Sequence, residues 1–176
     1  MERFSLLQIM NSQLKTVWKL IPHHLSKDGA LAWTKSNGRI AVGWGWVGDI
    51  YKKNYFDAKD IANVIKRVFE EGNHPYKNSA EGGLTLWSFA KEMQIGDYVI
   101  VSGNRPRQLV VKVTGDYQYS PSVNPLLINY EHQREVEITY INPDELWQLA
   151  GAKTIAGRSP YATLARCANQ VNVDDL

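Results

Sequence analysis

The sequence predicts an α+β domain built on a small, closed antiparallel β-barrel with flanking helices, and three observations carry that expectation. First, the elements run strand, strand, two helices, three strands, helix, read from where apolar residues recur every second position and where every third or fourth. Second, consecutive strands are joined by turn chemistry that suits hairpins. Third, the longer helices are confined to one excursion in the middle of the chain, which disfavours a parallel sheet with regular crossovers.

Residues 1–12 form a short amphipathic lead-in. Leu14 to Ile21 alternates as a first strand and stops at Pro22. Residues 23–37 read as loop, with Asp28-Gly29 and Asn37-Gly38 as turn pairs, and residues 39–44 as the second strand. From Asp57 the spacing becomes helical through Ile61, Val64, Ile65, Val68 and Phe69, with Asp57 or Asp60 placed to cap and Gly72 to end it. Residues 82–93 form a second helix that is apolar almost all round. Gly96-Asp97 then turns into a strand over 98–102, residues 103–107 make an exposed hairpin tip, and 108–114 run back. A fifth strand over 134–140 precedes a short helix opened by Asn142-Pro143 and ending at Leu149. The remainder, with a helical turn over 161–167, reads as a basic helical cap over 141–176 on a core of about residues 14–140, the whole 1–176 forming one domain.

Composition narrows the function classes. The 176 residues carry 44% hydrophobic and 22% charged side chains, ordinary for a globular chain, and a net charge of +2 that allows nucleic acid as partner without demanding it. A single cysteine, Cys167, excludes an intrachain disulfide and a multi-cysteine zinc site. With no membrane stretch and no signal peptide, a cytoplasmic protein with no membrane partner is expected. Six tryptophans and nine tyrosines exceed what a core of this size needs.

The aromatic residues concentrate around Gly43-Trp44-Gly45-Trp46-Val47-Gly48-Asp49. This matches the dinucleotide fingerprint G-x-G-x-x-G and follows a strand, but residues 49–56 lack helical spacing, and the indoles would crowd a phosphate. An aromatic pocket fits better. Trp44, Trp46, Trp87, Tyr117 and Tyr119 are its candidate walls, with Asp49 and Asp116 as polar readers. Each ring singly is more often core than cage, but strand alternation would put Trp44 and Trp46 on a shared face, and Tyr117 and Tyr119 likewise. Such a pocket can hold a base extracted from its stack, at about 1–3 kcal/mol per stacked base.

Three blocks, the Gly-Asp stretch above, Leu86-Trp87-Ser88-Phe89 with Met93 to Val99, and Val113-Thr114-Gly115-Asp116-Tyr117, resemble the EVE-type reader domains of the PUA-like superfamily, relatives of YTH domains. The resemblance spans about residues 14–140. It implies a PUA-like barrel whose aromatic cage, with Trp44, Trp46 and Tyr117 as the positions carried over first, takes a flipped, modified base such as a methylated cytosine or adenine. It also implies work as the sensor of a modification-dependent restriction or phage-defence system, with DNA favoured over RNA.

Phosphate contacts are then expected from Arg105 and Arg107 on the hairpin tip, Lys35 and Arg39 before the second strand, Lys52 and Lys53 after it, and Lys153 and Arg158 in the cap. Pro143-Asp144 lacks the downstream Glu/Asp-x-Lys of a nuclease, so cutting would need an effector nuclease domain or subunit. His23, His24, His74 and His132 lack partners at ligand spacing, Ser88, Ser102 and Ser120 lack a nucleophile elbow, and Cys167 reads as packing. No catalytic constellation, cofactor or metal is expected. Two other classes stay open: a small hydrolase like the ASCH-type enzymes that deacylate modified nucleosides with a Lys, a Thr or Ser and a Glu, and a protein-interaction adaptor whose aromatics are all core. A buried lysine would favour the hydrolase, with Lys19 and Lys112 as the strand lysines to watch.

Overall fold

The structure, a computed structural model, describes residues 14–72, 78–103, 105–120, 128–155, 158–159 and 161–176. The lead-in, His74 and the loop around Pro121 to Leu127 lie outside the described residues. Among the described residues, seven strands, β1 (Leu14–Leu20), β2 (Arg39–Val42), β3 (Tyr98–Val101), β4 (Leu109–Val113), β5 (Gln118–Tyr119), β6 (His132–Ile138) and β7 (Leu164–Asn172), form one sheet in the order β2-β6-β4-β3-β1-β7, with β5 on β6. The described α-helices are α1 (Lys27–Asn37), α2 (Ala58–Glu70), α3 (Ser79–Trp87) and α4 (Pro143–Leu149).

The α+β class is as expected, but the sheet is mixed rather than antiparallel. β1 and β3 run parallel, Val17 beside Tyr98 through Leu20 beside Val101, and the other pairs are antiparallel. Parallel neighbours need a long crossover, and residues 21–97 supply it by passing through α1, β2, α2 and α3. The sheet curls into a half-barrel, and β2 and β7 at its two ends share no ladder.

Two further expectations are corrected. Residues 27–37 are helix, not loop, because Ala30, Leu31, Trp33 and Thr34 share a buried face. His23 Nδ1 accepts the N–H groups of Leu25 (3.1 Å) and Ser26 (2.8 Å) just ahead of the first turn. The Asn37-Gly38 pair ends the helix, with Gly38 at φ 61° donating to Thr34 O. The supposed helical turn at 161–167 leads into and forms part of β7, which adds to the edge of β1 across two register shifts. Its alanines and leucine favour helix, but an unpaired neighbouring strand and two apolar layers to enter override that preference.

Central strands are buried on both faces. Trp18, Val99, Val101 and Val111 point to a core shared with Ile61 and Ile65 of α2 and Leu86 of α3, while Val17, Ile100 and Val110 pack against Leu146 of α4 and Cys167. Asp57 caps α2 as expected, accepting from Asp60 N at 2.9 Å. After α3 the chain makes one wider helical turn over Ser88–Glu92, whose end carbonyls are bound by the buried Arg134. Its Nε donates to Phe89 O (2.8 Å), and its two Nη atoms donate to Met93 O (2.8 Å), Ala90 O (3.2 Å) and Gly115 O (3.1 Å).

Candidate nucleic-acid interface

His132 opens β6 with Val42 of β2 on one side and Tyr119 of β5 on the other. This pairing brings the stretch after β2 against the stretch before β5. Trp44 adopts a left-handed backbone, φ 61°, which is costly for a bulky residue and must be held by its surroundings. The holding bonds are visible. His132 Nε2 donates to Trp44 O (3.1 Å), Tyr119 Oη donates to Gly45 O (2.8 Å), and Gly45 N donates to Asn129 O (2.8 Å).

A carbonyl can only accept, so Nε2 carries the imidazole proton and Nδ1 is left as an acceptor. Tyr117 Oη therefore donates to His132 Nδ1 at 2.8 Å, and it accepts from Ile50 N at 3.2 Å. Burial pushes His132 down to about 4, so the ring stays neutral and the donor-acceptor chain keeps one sense. Burial likewise raises the phenols of Tyr117 and Tyr119.

Beside this corner lies an open hollow of about 510 Å³ lined by Asp49, Tyr51, Tyr117, Gln118, Tyr119 and Ser120. Tyr51 and Tyr117 meet at 5.5 Å between centroids, inclined by 45°. Tyr51 Oη donates to Ala90 O (2.9 Å), and Lys91 Nζ sits 3.5 Å from the centre of the Tyr51 ring. Asp49 Oδ1 accepts from Tyr51 N at 3.0 Å. Arg39 reaches Gln118 (2.9 Å), Gln133 (3.3 Å) and Glu135 (2.8 Å), while Lys52 and Lys53 are exposed just beyond Tyr51.

The expected cage is thus brought together in part. Tyr117, Tyr119 and Asp49 line the hollow, but Trp44 is only 8% exposed and its indole lies in the core against Gly82, where any Cβ would come within 2.8 Å of the ring. Trp46 and Trp87 are half-buried and pack on the same core. The two tryptophans of the Gly-rich stretch do not share a strand face, because Trp44 is followed by a tight helical turn over Gly45–Val47. Asp116 is exposed in the turn before β5 and does not line the hollow. Lys35 is exposed in the last turn of α1.

Arg105, Arg107, Lys153 and Arg158, expected at the pocket mouth, instead line a second cavity of about 520 Å³ together with Lys19 and Lys27. Among the described residues, none borders both cavities. Arg107 pairs with Asp144 and lies 5.3 Å from the Trp147 ring centroid. Arg158 pairs with Glu81 at 2.6 Å, and the other oxygen of Glu81 accepts from Thr163 N (2.9 Å) and Thr85 Oγ1 (3.0 Å). Lys19 is turned inward and 6% exposed, and burial lowers its amine, opposed by Cys167 and Glu81. Lys112 is half-exposed beside Glu137.

Tyr51, Gln118, Lys91 and His132 were not among the sequence-derived site residues. Tyr51 had a signal, since only Ile50 separates it from the Gly48-Asp49 turn. His132 had none, because its role depends on two strands distant in sequence. Glu131 is also new, with a buried Oε2 that has no hydrogen-bond partner among the described residues and a carboxyl raised by burial.

The chain belongs to the family described as domain of unknown function DUF8426, whose family model matches residues 18–162. No curated protein and no solved structure matches it. Among the described residues no helix is long and apolar enough to cross a membrane.

Proposed function

We propose that the chain is a nucleic-acid-binding module, on a PUA-like, EVE-type barrel, that takes one unstacked modified base of DNA into the tyrosine hollow without altering it. The carrying observation is the hollow itself. Two of its three rings, Tyr117 and Tyr119, are fastened at their hydroxyls to the backbone or to the buried His132, and Tyr51 is fastened to Ala90 O. Rings held this way lose little freedom when a flat ligand stacks on them. Asp49 and Gln118 supply an acceptor and an amide for the base edge, Lys91 and Arg39 touch hollow-lining residues, and the exposed Lys52 and Lys53 follow Tyr51 in the chain, which makes these four the candidates for phosphate contacts. In a restriction or phage-defence setting, cleavage falls to a nuclease domain or subunit.

The test is a panel of duplex and single-stranded oligonucleotides, DNA and RNA, identical except for one base modification and measured at fixed salt. Preference for one modified DNA, lost in Tyr119→Ala with the fold intact, is the expected result. Equal binding of modified and plain strands would end the base-reading assignment, and preference for the RNA series would move it to RNA.

A second reading gains one observation. Inward burial of Lys19 in a cavity that also holds Ser102 favours a small hydrolase, in which water adds across an acyl–nitrogen bond of a modified nucleoside to release a carboxylate and an amine. Against it, both oxygens of Glu81 are already engaged, by Arg158 on one side and by Thr163 and Thr85 on the other, which leaves that carboxylate poorly placed as a base. Incubation with acylated nucleosides and detection of the freed carboxylate decides it.

A further inference from the structure

The second cavity combines features that a solvated surface patch does not. Its cationic side chains come from separate parts of the fold: Lys19 from β1, Lys27 from α1, Arg105 and Arg107 from the loop between β3 and β4, and Lys153 and Arg158 from the segment after α4. Among the described residues no carboxylate lines it. Its volume, about 520 Å³, falls in the range of sites for small ligands, about 300–1,000 Å³. A concave surface lined by one sign of charge focuses the field at its centre.

Two of the six cations are braced by carboxylates that do not line the cavity, Arg107 by Asp144 and Arg158 by Glu81, and Arg107 also lies against the lining ring of Trp147. Bracing holds a guanidinium in one orientation while leaving further N–H donors to point elsewhere. Lys19 lies deeper, with its amine below the usual lysine range through burial, Cys167 and Glu81 acting to raise it and Arg158 to lower it further. Arg105 and Lys153 are exposed at the rim. Ser102 adds a hydroxyl, and Trp147 and Tyr161 add aromatic surface.

We infer that this cavity is a binding site for a terminal phosphate monoester carried by a nucleoside. A monoester approaches dianionic charge at neutral pH and offers three outward oxygens, so it can accept from donors converging from several sides. An internal diester of a strand carries one charge and two free oxygens and runs along a surface rather than ending in a cavity. The ligand has two sources with the same chemistry, a free mononucleotide or the 5′-phosphorylated end of a strand. The site does not depend on the base-reading proposal, since among the described residues none borders both cavities.

Titration calorimetry on the full chain at fixed salt tests the inference with four probes: cytidine, cytidine 5′-monophosphate, and one short single strand with either a 5′-phosphate or a 5′-hydroxyl. Binding of the monophosphate but not of cytidine identifies a free nucleotide as ligand. Binding that needs the 5′-phosphate on the strand, with no binding of the mononucleotide, identifies a strand end. In either case the double variant Arg105→Ala, Lys153→Ala, which removes two exposed side chains and leaves the braced pairs in place, weakens the phosphate-dependent binding by about tenfold or more. Its melting temperature stays unchanged, and Tyr119→Ala leaves this binding intact. Indifference of all ligands to the phosphate, or undiminished binding by the double variant, overturns the inference.

Discussion

The tyrosine hollow and the basic cavity are alike in volume and opposite in construction. The hollow is built from two short segments, residues 49–51 and 117–120, and its walls are neutral rings fastened by hydrogen bonds to backbone carbonyls and to a neutral histidine. The cavity gathers single charged residues from across the chain and holds two of them with ion pairs. The difference separates two tasks. Fastened rings suit a flat, weakly charged group, whereas convergent cations suit compact negative charge whatever it is attached to. Nucleic acid offers both, which is why sequence reasoning placed the two sets of residues at one mouth and the structure does not.

Breaking the support of one region without the other is the sharpest way to use this contrast. Arg134 binds four carbonyls between the wide turn and Gly115, next to Tyr51 and away from the basic cavity. Arg134→Leu takes this donor from the Phe89, Met93 and Gly115 carbonyls while Ala90 O keeps Tyr51 Oη, and a loss of about 3–5 kcal/mol in denaturant unfolding is expected.

The histidine under the hollow comes next. Unfolded histidine takes up a proton near pH 6.5, whereas His132 in the fold does so only near 4. The part of the stability that depends on neutral His132 is therefore fully present above about pH 6.5 and is lost as the pH drops from there to about 4, by up to about 3 kcal/mol. His132→Gln should flatten this acid limb, as measured by unfolding at pH 7 and pH 4.5.

Tyr119→Ala should cost about 1–3 kcal/mol of binding to the preferred modified strand, or about 5- to 150-fold in affinity, read by oligonucleotide titration. The smallest effect belongs to a brace of the cavity. Asp144 is largely exposed, so Asp144→Ala should change stability by no more than about 1 kcal/mol in denaturant unfolding.

Legibility followed the range of the interactions. α2, with its Asp57 cap and its buried Ile61 and Ile65, was readable because spacing and cap lie in one stretch. α1 was missed because Asp28-Gly29 carries a turn signature, although that pair lies in the first turn of an eleven-residue helix. β7 was missed because its alanines suit a helix until β1 offers an edge. In the site, Tyr117, Tyr119 and Asp49 were legible from their Gly-Asp turns, and Trp44 misled because a left-handed backbone sends its ring into the core.

From the sequence alone came the α+β class, most of the elements with their caps and turns, and the clustering of aromatic residues around 43–49 and 117–119. Those are consequences of local backbone preference and short-range spacing, which a linear reading can follow. The parallel β1–β3 pair, the tautomer of His132, the burial of Trp44 and the convergence of Lys19 with Arg158 were decided only by the tertiary structure. Each depends on contacts between residues far apart in the chain, where burial and pairing outweigh any local preference.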